Sequence, residues 1–473
     1  MNDSNKAVAI DSMDSSIDQE LYQKRKKIYP RQVHGLFAAL RVMGVSTLLG
    51  FYYIMPWLLW DGRQAILFDL PERKFYILGL IFWPQDFIYL TMILVIAALS
   101  LFFFTALAGR LWCGYACPQT VWTEAFLWIE RKVEGTRSQQ MKLDKRTTDS
   151  HKILKKSTKH FLWITFSLFT GLTFVGYFTP IRDLVAAFSD FSFGPWETFW
   201  ILFYGFATYG NAGWLREQVC FYMCPYARFQ SAMFDKNTLV ISYDEHRGEP
   251  RGARKRGTSA AAKGLGSCID CSICVQVCPT GIDIRDGLQY QCIGCAACID
   301  ACDDVMDKMG YERGLIKYTT ENMMQGIHTD FLRPRIIVYA LILLGITFGT
   351  IFAIYNRSPI DLDIIRDRNS LFRETGMGMI ENVYTLKLIN KDKLPHEYKL
   401  SVEGLPGLKL NINKNANLYA KSGHVIEVPV SVEIDPEKLD KRTSEVFFKL
   451  EATDADNLSI TQEARFLGPI PGR

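Results

Sequence analysis

The first twenty-two residues are polar and acidic with no apolar run, a composition expected to stay disordered. Lys24, Arg25, Lys26, Lys27 and Arg31 follow, and an apolar stretch then covers about 36–60. It is too long for a signal-peptide core and has no small-residue cleavage site, so it reads as an uncleaved first span with its basic flank in the cytoplasm. Arg41 is expected to snorkel to that same surface. Residues 61–85 mix charges with aromatics and predict an interfacial hairpin with a short helix at 75–82. Apolar blocks at 87–108, 161–179, 196–214 and 336–355 predict four more spans. Beyond 371 the period changes to alternation, in Val383-Tyr-Thr-Leu-Lys-Leu-Ile, Tyr398-Lys-Leu-Ser-Val, Val425-Ile-Glu-Val-Pro-Val-Ser-Val and Val446-Phe-Phe-Lys-Leu. Short alternating runs separated by turn residues predict an antiparallel, immunoglobulin-like β-sandwich.

The fold class expected is therefore a multi-domain membrane protein: a helical bundle of about five spans, a cysteine-rich module and a C-terminal sandwich. At 473 residues, 48% hydrophobic and 13% aromatic, the composition agrees. Net charge is only +4, but the positives cluster at 24–31, 131–159, 247–263 and 313–335, alternating with poorer loops. By the positive-inside rule these clusters face the cytoplasm, and with an odd number of spans the sandwich is expected on the far side, the periplasm if the cell is Gram-negative. The divisions read as a tail at 1–34, a four-span domain at 35–240, a basic linker at 241–266, a cysteine module at 267–325, a fifth span at 336–355 and the sandwich at 371–473. The linker suits anionic lipid headgroups better than nucleic acid.

All twelve cysteines lie between Cys113 and Cys302, which suits a reducing compartment for that part of the chain. Eight form two runs of matching spacing: Cys268, Cys271, Cys274, Cys278-Pro279, and Cys292, Cys295, Cys298, Cys302-Asp303. Three closely spaced thiolates cap three corners of one [4Fe–4S] cube, and the fourth crosses to the other cube. One cluster is expected on Cys268, Cys271, Cys274 and Cys302, the other on Cys292, Cys295, Cys298 and Cys278. Neither zinc sites nor disulfides call for that spacing twice. Asp303 stands where the first run has proline, leaving the ligands intact.

The remaining four form two C-x3-C-P motifs, Cys113/Cys117-Pro118 and Cys220/Cys224-Pro225, 107 residues apart and each closing a pair of spans. Residues four apart share a helix face, so each pair is expected to present two thiols side by side. Soft thiolates favour Cu(I) over Cu(II), which makes copper reduction by a low-potential cluster downhill. Met223 offers a thioether, although packing explains it as well. One such pair alone would read as apolar filler; two beside a ferredoxin module point to metal or redox work. Haem has little support, since His34, His151 and His160 lie at or outside span ends. Glu124 and Glu130 suit proton relay or a plain amphipathic helix equally, and Asp86 and Glu197 are expected to be solvated. No phosphate loop, nucleophile elbow or dinucleotide fingerprint is present.

Leu111-Trp-Cys-Gly-Tyr-Ala-Cys-Pro-Gln-Thr-Val-Trp, Cys220-Phe-Tyr-Met-Cys-Pro-Tyr-Ala-Arg-Phe-Gln, Arg247-Gly-Glu-Pro-Arg-Gly and the Gln289–Asp303 stretch resemble the CcoG/FixG/RdxA family of membrane polyferredoxins, from about Tyr29 to the end of the sandwich. That resemblance implies an oxidoreductase, a cupric reductase, serving assembly of cbb3-type cytochrome c oxidase. It implies partners in the oxidase assembly machinery and in copper transporters or chaperones. The electron donor and any homo-oligomer are left open. Its C-x3-C-P cysteines map onto Cys113, Cys117, Cys220 and Cys224, and its cluster ligands onto the other eight. Two other readings stand beside it: a quinol-oxidising membrane ferredoxin subunit, and a non-enzymatic assembly factor.

Overall fold

The computed structural model describes residues 27–257, 264–392, 394–413, 416–455 and 458–469. The tail expected to be disordered over 1–22 lies outside them. The chain divides into two compact units: residues 1–79 with 90–346, and residues 80–89 with 347–473.

Among the described residues of the whole chain, three helices are long and apolar enough to cross a membrane. They are α1 (Leu36–Ile54, extended by a turn to Trp57), α2 (Phe87–Ala108) and the later helix Pro334–Tyr355. At most 11% of any of the three apolar windows is buried, so their side chains face outward, as lipid-facing helices do. The two other expected spans fall on different elements. One lies in a 26-residue helix, Ser150–Val175, whose first turns carry lysines; the other is the 14-residue helix Pro195–Thr208, continued by a π-helical turn, Tyr209–Leu215. These two pack closely, because a Cβ on Gly171 would lie 2.4 Å from the carbonyl of Ile201.

The short helix expected at 75–82 is not formed. Strand β1 (Ile66–Asp69) pairs antiparallel with β2 (Lys74–Ile77), and a further strand, Leu80–Phe82, follows. Aromatic and β-branched residues suit the pleat, and the left-handed backbone at Leu78 breaks any helix there.

After α2 come α3 (Leu111–Tyr115), α4 (Pro118–Glu134) and α5 (Arg137–Lys145). The cysteine module is built on β3 (Val240–Tyr243) paired antiparallel with β4 (Ile316–Thr319), with helices Ile273–Val277 and Ala297–Met309 packed beside them. The segment 241–266, expected as a linker, is bonded into this module up to Arg254: Arg247 donates to Arg313 O at 2.9 Å, Arg254 donates to the Tyr311 hydroxyl at 2.8 Å, and Cys268 N–H donates to Gly248 O at 3.3 Å. Residues 258–263 lie outside the described residues. Asp300, between two cluster-run cysteines, accepts the N–H groups of Phe37 and Ala38 at 3.2 and 2.7 Å, satisfying the free donors at the start of α1.

In the second unit, one sheet orders its strands 409–412, 425–434, 380–390 and 360–366, all antiparallel. The other orders 419–420, 396–403, 443–452 and 459–467. Alternate residues of Ile380–Asn390 point inward, so Tyr384, Leu386 and Leu388 bury against Val446, Phe448 and Phe466. Each such side chain contributes about 1.5–3 kcal/mol. Asp86 is buried here rather than solvated: it caps Trp83 N–H at 2.9 Å and pairs with Arg357 and, at 3.2 Å, Lys391. These two cations and the Trp83 N–H offset the cost of burying it.

Candidate redox site

The two cluster runs share one local backbone. In Cys268-Ile-Asp270-Cys271-Ser272, Asp270 and Ser272 are left-handed, with φ near 54° and 55°; in Cys292-Ile-Gly294-Cys295-Ala296, Gly294 and Ala296 repeat this at 67° and 57°. Such alternation turns successive N–H groups into one concavity, the backbone nest that accepts anions and iron–sulfur sites. Cys268, Cys271, Cys274 and Cys302 line one cavity, walled by Tyr243, Met306 and Leu315. Cys278, Cys292, Cys295 and Cys298 line a second with Ile241 and Ile284, and Cys274 reaches it as well. Burial raises these thiols, Cys274 to about 11 and Cys292 and Cys302 to about 12, so each needs a cation to stay a thiolate. The N–H groups of Gly294 and Ala297 offset this at Cys292 and Cys295. Soft sulfur, backbone donors and an apolar wall fit a cube of iron and sulfide. Such a group would supply one-electron transfer. Among the described residues, no three His, Cys, Asp or Glu side chains are placed to hold a single metal ion.

The C-x3-C-P pairs do not lie on continuous helices, so the side-by-side presentation expected of them is corrected. Cys113 sits on α3, but Cys117 is extended, with ψ 129°, and caps α4, whose first residue is Pro118. Cys220 lies in a π-helical turn, Val219–Met223, and Cys224, with ψ 110°, caps the helix Pro225–Ser231. The reason is in the motif: a proline forces its predecessor out of the helical region and is at home at a helix start. The second cysteine of each pair therefore faces a helix N-terminus. The N–H groups of Thr120 and Gln119 partly offset the rise that burial imposes on Cys117. Burial pushes Cys113 and Cys220 up to about 12, and the four thiols act on one another electrostatically, so they belong to one locale. Cys113 Sγ lies 3.6 Å from Gln230 Oε1, and Met223 is exposed.

The two thiol groups meet. A Cβ on Gly114 would stand 2.8 Å from Gly294 O and 2.9 Å from Cys295 Cα, so the first motif packs backbone to backbone on the second cluster loop. A cavity of about 50 Å³, room for a few waters, touches both Cys220 and Cys295. Arg41 lines it with Glu124, Arg216 and Glu217, so its side chain turns inward instead of snorkelling, and its Nε is buried without a partner. Behind the cavity, Glu130 is 1% exposed and pairs with Arg216 at 2.7 Å, Lys159 at 3.5 Å and Lys27 at 3.6 Å. Glu134 pairs with Lys156 and Lys159, each at 3.0 Å, and Lys156 continues to Asp144 at 2.5 Å. Glu124 pairs with Arg131 at 2.7 Å. This ion network escaped the sequence reading because its members are far apart in the chain; only the density of charge on 124–159 hinted at it. Arg110, Gln230 and Gly294 were likewise given no role, although Gln230 and Gly294 stand inside the quoted motifs and Arg110 directly precedes one. His160 Nδ1 lies 3.0 Å from the Tyr209 hydroxyl.

Known proteins place this arrangement. The 4Fe-4S dicluster domain family matches residues 215–321, a 4Fe-4S binding domain family matches 90–135, and the family describing an IG-like fold at the C-terminal of FixG matches 350–469. "Nitrogen fixation protein FixG" of Rhizobium meliloti (strain 1021) is 38% identical over 452 residues, covering 88% of this chain and 85% of that protein. "Protein RdxB" of Cereibacter sphaeroides is 42% identical over 408 residues, covering 83% and 85%. A crystal structure of a FixG-related protein from Vibrio parahaemolyticus is 35% identical, covering 23% of this chain and 96% of that one, with a TM-score of 0.21. With this identity over most of both lengths, the chain belongs to the FixG/RdxA family of membrane-type iron–sulfur redox proteins.

Proposed function

We propose that the protein is a cupric reductase of a bacterial inner membrane. Eight cysteines, grouped as Cys268, Cys271, Cys274, Cys302 and Cys278, Cys292, Cys295, Cys298, hold two [4Fe–4S] clusters on the cytoplasmic side. Cu(II) is the substrate, taken by Cys113, Cys117, Cys220 and Cys224, and it leaves as Cu(I) for the assembly of a cbb3-type oxidase. Copper carriers and oxidase assembly proteins are the partners. The chain crosses the bilayer five times, with the sandwich in the periplasm. The observation that supports this reading best is the backbone contact of Gly114 with the Cys292–Cys295 loop, which sets four further thiols beside a cluster loop. A one-electron centre suits a one-electron acceptor, and sulfur ligands favour the reduced ion.

The test is anaerobic turnover of reduced protein with Cu(II) and a Cu(I)-selective chelator. Replacing Cys113, Cys117, Cys220 and Cys224 together by Ser is expected to abolish Cu(I) formation while iron stays at about eight per chain, two four-iron cubes. Undiminished turnover in that variant removes copper from these thiols. Loss of iron along with the thiols assigns them to iron instead.

A further inference from the structure

Arg110 opens the first C-x3-C-P motif, three residues before Cys113. It is 8% exposed, and its guanidinium donates to the carbonyls of Tyr290, Cys292 (3.1 Å) and Ala227 (2.9 Å). Among the described residues, no carboxylate pairs with it. Three other cations buried in this unit each meet a carboxylate: Arg216 meets Glu130 at 2.7 Å, Lys159 meets Glu134 at 3.0 Å, and Lys74 meets Glu72 at 3.4 Å. An isolated buried charge is strongly disfavoured, so Arg110 calls for negative charge from another source. The ionisable groups acting on it are the thiols of Cys113, Cys292 and Cys220 and the phenol of Tyr226. The thiols come from both groups, and Arg110 bonds a backbone carbonyl beside each, Cys292 O in the second cluster loop and Ala227 O three residues after Cys224.

We propose that Arg110 is a positioning residue for the transferred electron: its fixed positive charge faces thiolate-held redox groups and favours one more electron at the Cys292 loop or at the C-x3-C-P thiols. A carboxylate partner would cancel that field. In the low dielectric between the two groups, the same charge acts on both. The step balances simply. One electron leaves the cluster side, Cu(II) gains it and becomes Cu(I), and Arg110 keeps its proton and forms no bond. The copper half rests on the proposed function above; the cluster half does not.

The experiment is an EPR-monitored redox titration of the full-length protein, purified anaerobically without copper, for wild type, Arg110→Gln and Arg110→Lys. At a fixed poise, Arg110→Gln is expected to lower the reduced-to-oxidised ratio of one of two clusters at least tenfold, equivalent to 59 mV for one electron, leaving the other in place. Arg110→Lys should restore most of the ratio. An unchanged ratio in Arg110→Gln with full iron overturns the proposal. Should Arg110→Gln fail to load iron, Arg110→Lys decides: it keeps the charge and loses the carbonyl fork, so a tenfold fall there overturns it. Cu(II) then added to reduced wild type separates the two claims, since absence of Cu(I) sinks the copper reading and leaves the titration standing.

Discussion

Glycine at 114 is required by approach, not by backbone angle. The atoms a methyl group would meet are the carbonyl of Gly294 and the Cα of Cys295, and neither can swing aside. Gly114→Ala is therefore expected to cost about 1–3 kcal/mol by overpacking and to reduce iron loading, read by iron content and thermal midpoint in detergent. Gly50→Ala, on α1 where nothing lies within 4 Å, is the control and should leave iron content unchanged and the midpoint no lower. At this scale the sequence was partly legible. The cysteine spacing named all twelve thiols, and Pro118 and Pro225 carried enough information to show that Cys117 and Cys224 leave the helix. Reading each pair as one helix face overlooked that rule. Gly114 could not be read, because its partner lies in a loop 180 residues away (114 to 294).

Helix α4 owes its placement to buried acids. Burial alone would raise Glu130, but Arg216, Lys27 and Lys159 outweigh it and hold the carboxyl below the usual range. Asp144 is likewise held low: burial opposes this, and its bonds from Lys156, Tyr29 and Lys27 prevail. Depressed carboxylates contribute stability that is fully present above the ordinary carboxylate pKa near 4. It is lost as pH falls through the lower folded value. Unfolding midpoints in detergent should thus be flat from pH 7 to about 5 and drop below about 4. Glu130→Ala strands Arg216, while Lys159 keeps Glu134, and should cost about 3–5 kcal/mol. The sandwich behaves oppositely. His396 is 3% exposed; burial would lower it, but Asp392 at 2.9 Å and Asp454 at 3.1 Å raise it. Its contribution is present below the ordinary value near 6.5 and is lost as pH climbs through the raised one. Hydrogen-exchange protection along 396–403, taken relative to the intrinsic rate at each pH, should fall from pH 7 to 9 in the wild type and not in His396→Asn. Amphipathic period gave α4 readily; which carboxylates go inside depends on partners from Lys27 to Arg216, and local pattern does not encode that.

For the whole chain, three apolar helices satisfy length and hydropathy, and the five-span topology makes a definite prediction. Alkaline phosphatase fused after Arg473 should be active, and after Arg146 inactive; the opposite pattern would reverse the proposed sidedness, and activity at both would overturn the odd number of spans. The architecture was legible because its signals are long: apolar blocks, strand alternation and paired cysteine runs. Short stretches misled, as where 75–82 formed strands and Asp86 found Arg357 and Lys391 instead of water. The contact of Asp300 with Phe37 and Ala38 has a bearing on biogenesis. The N-terminus of α1 leaves the ribosome some 260 residues before the carboxylate that completes it (37 to 300). That carboxylate lies on a helix bearing Cys298 and Cys302, so if these hold iron as proposed, its position is expected to follow iron insertion. Iron-starved cells should accumulate chains whose segment around 27–38 is open to proteases. The cell could then discard unmatured copies by inspecting their leading end.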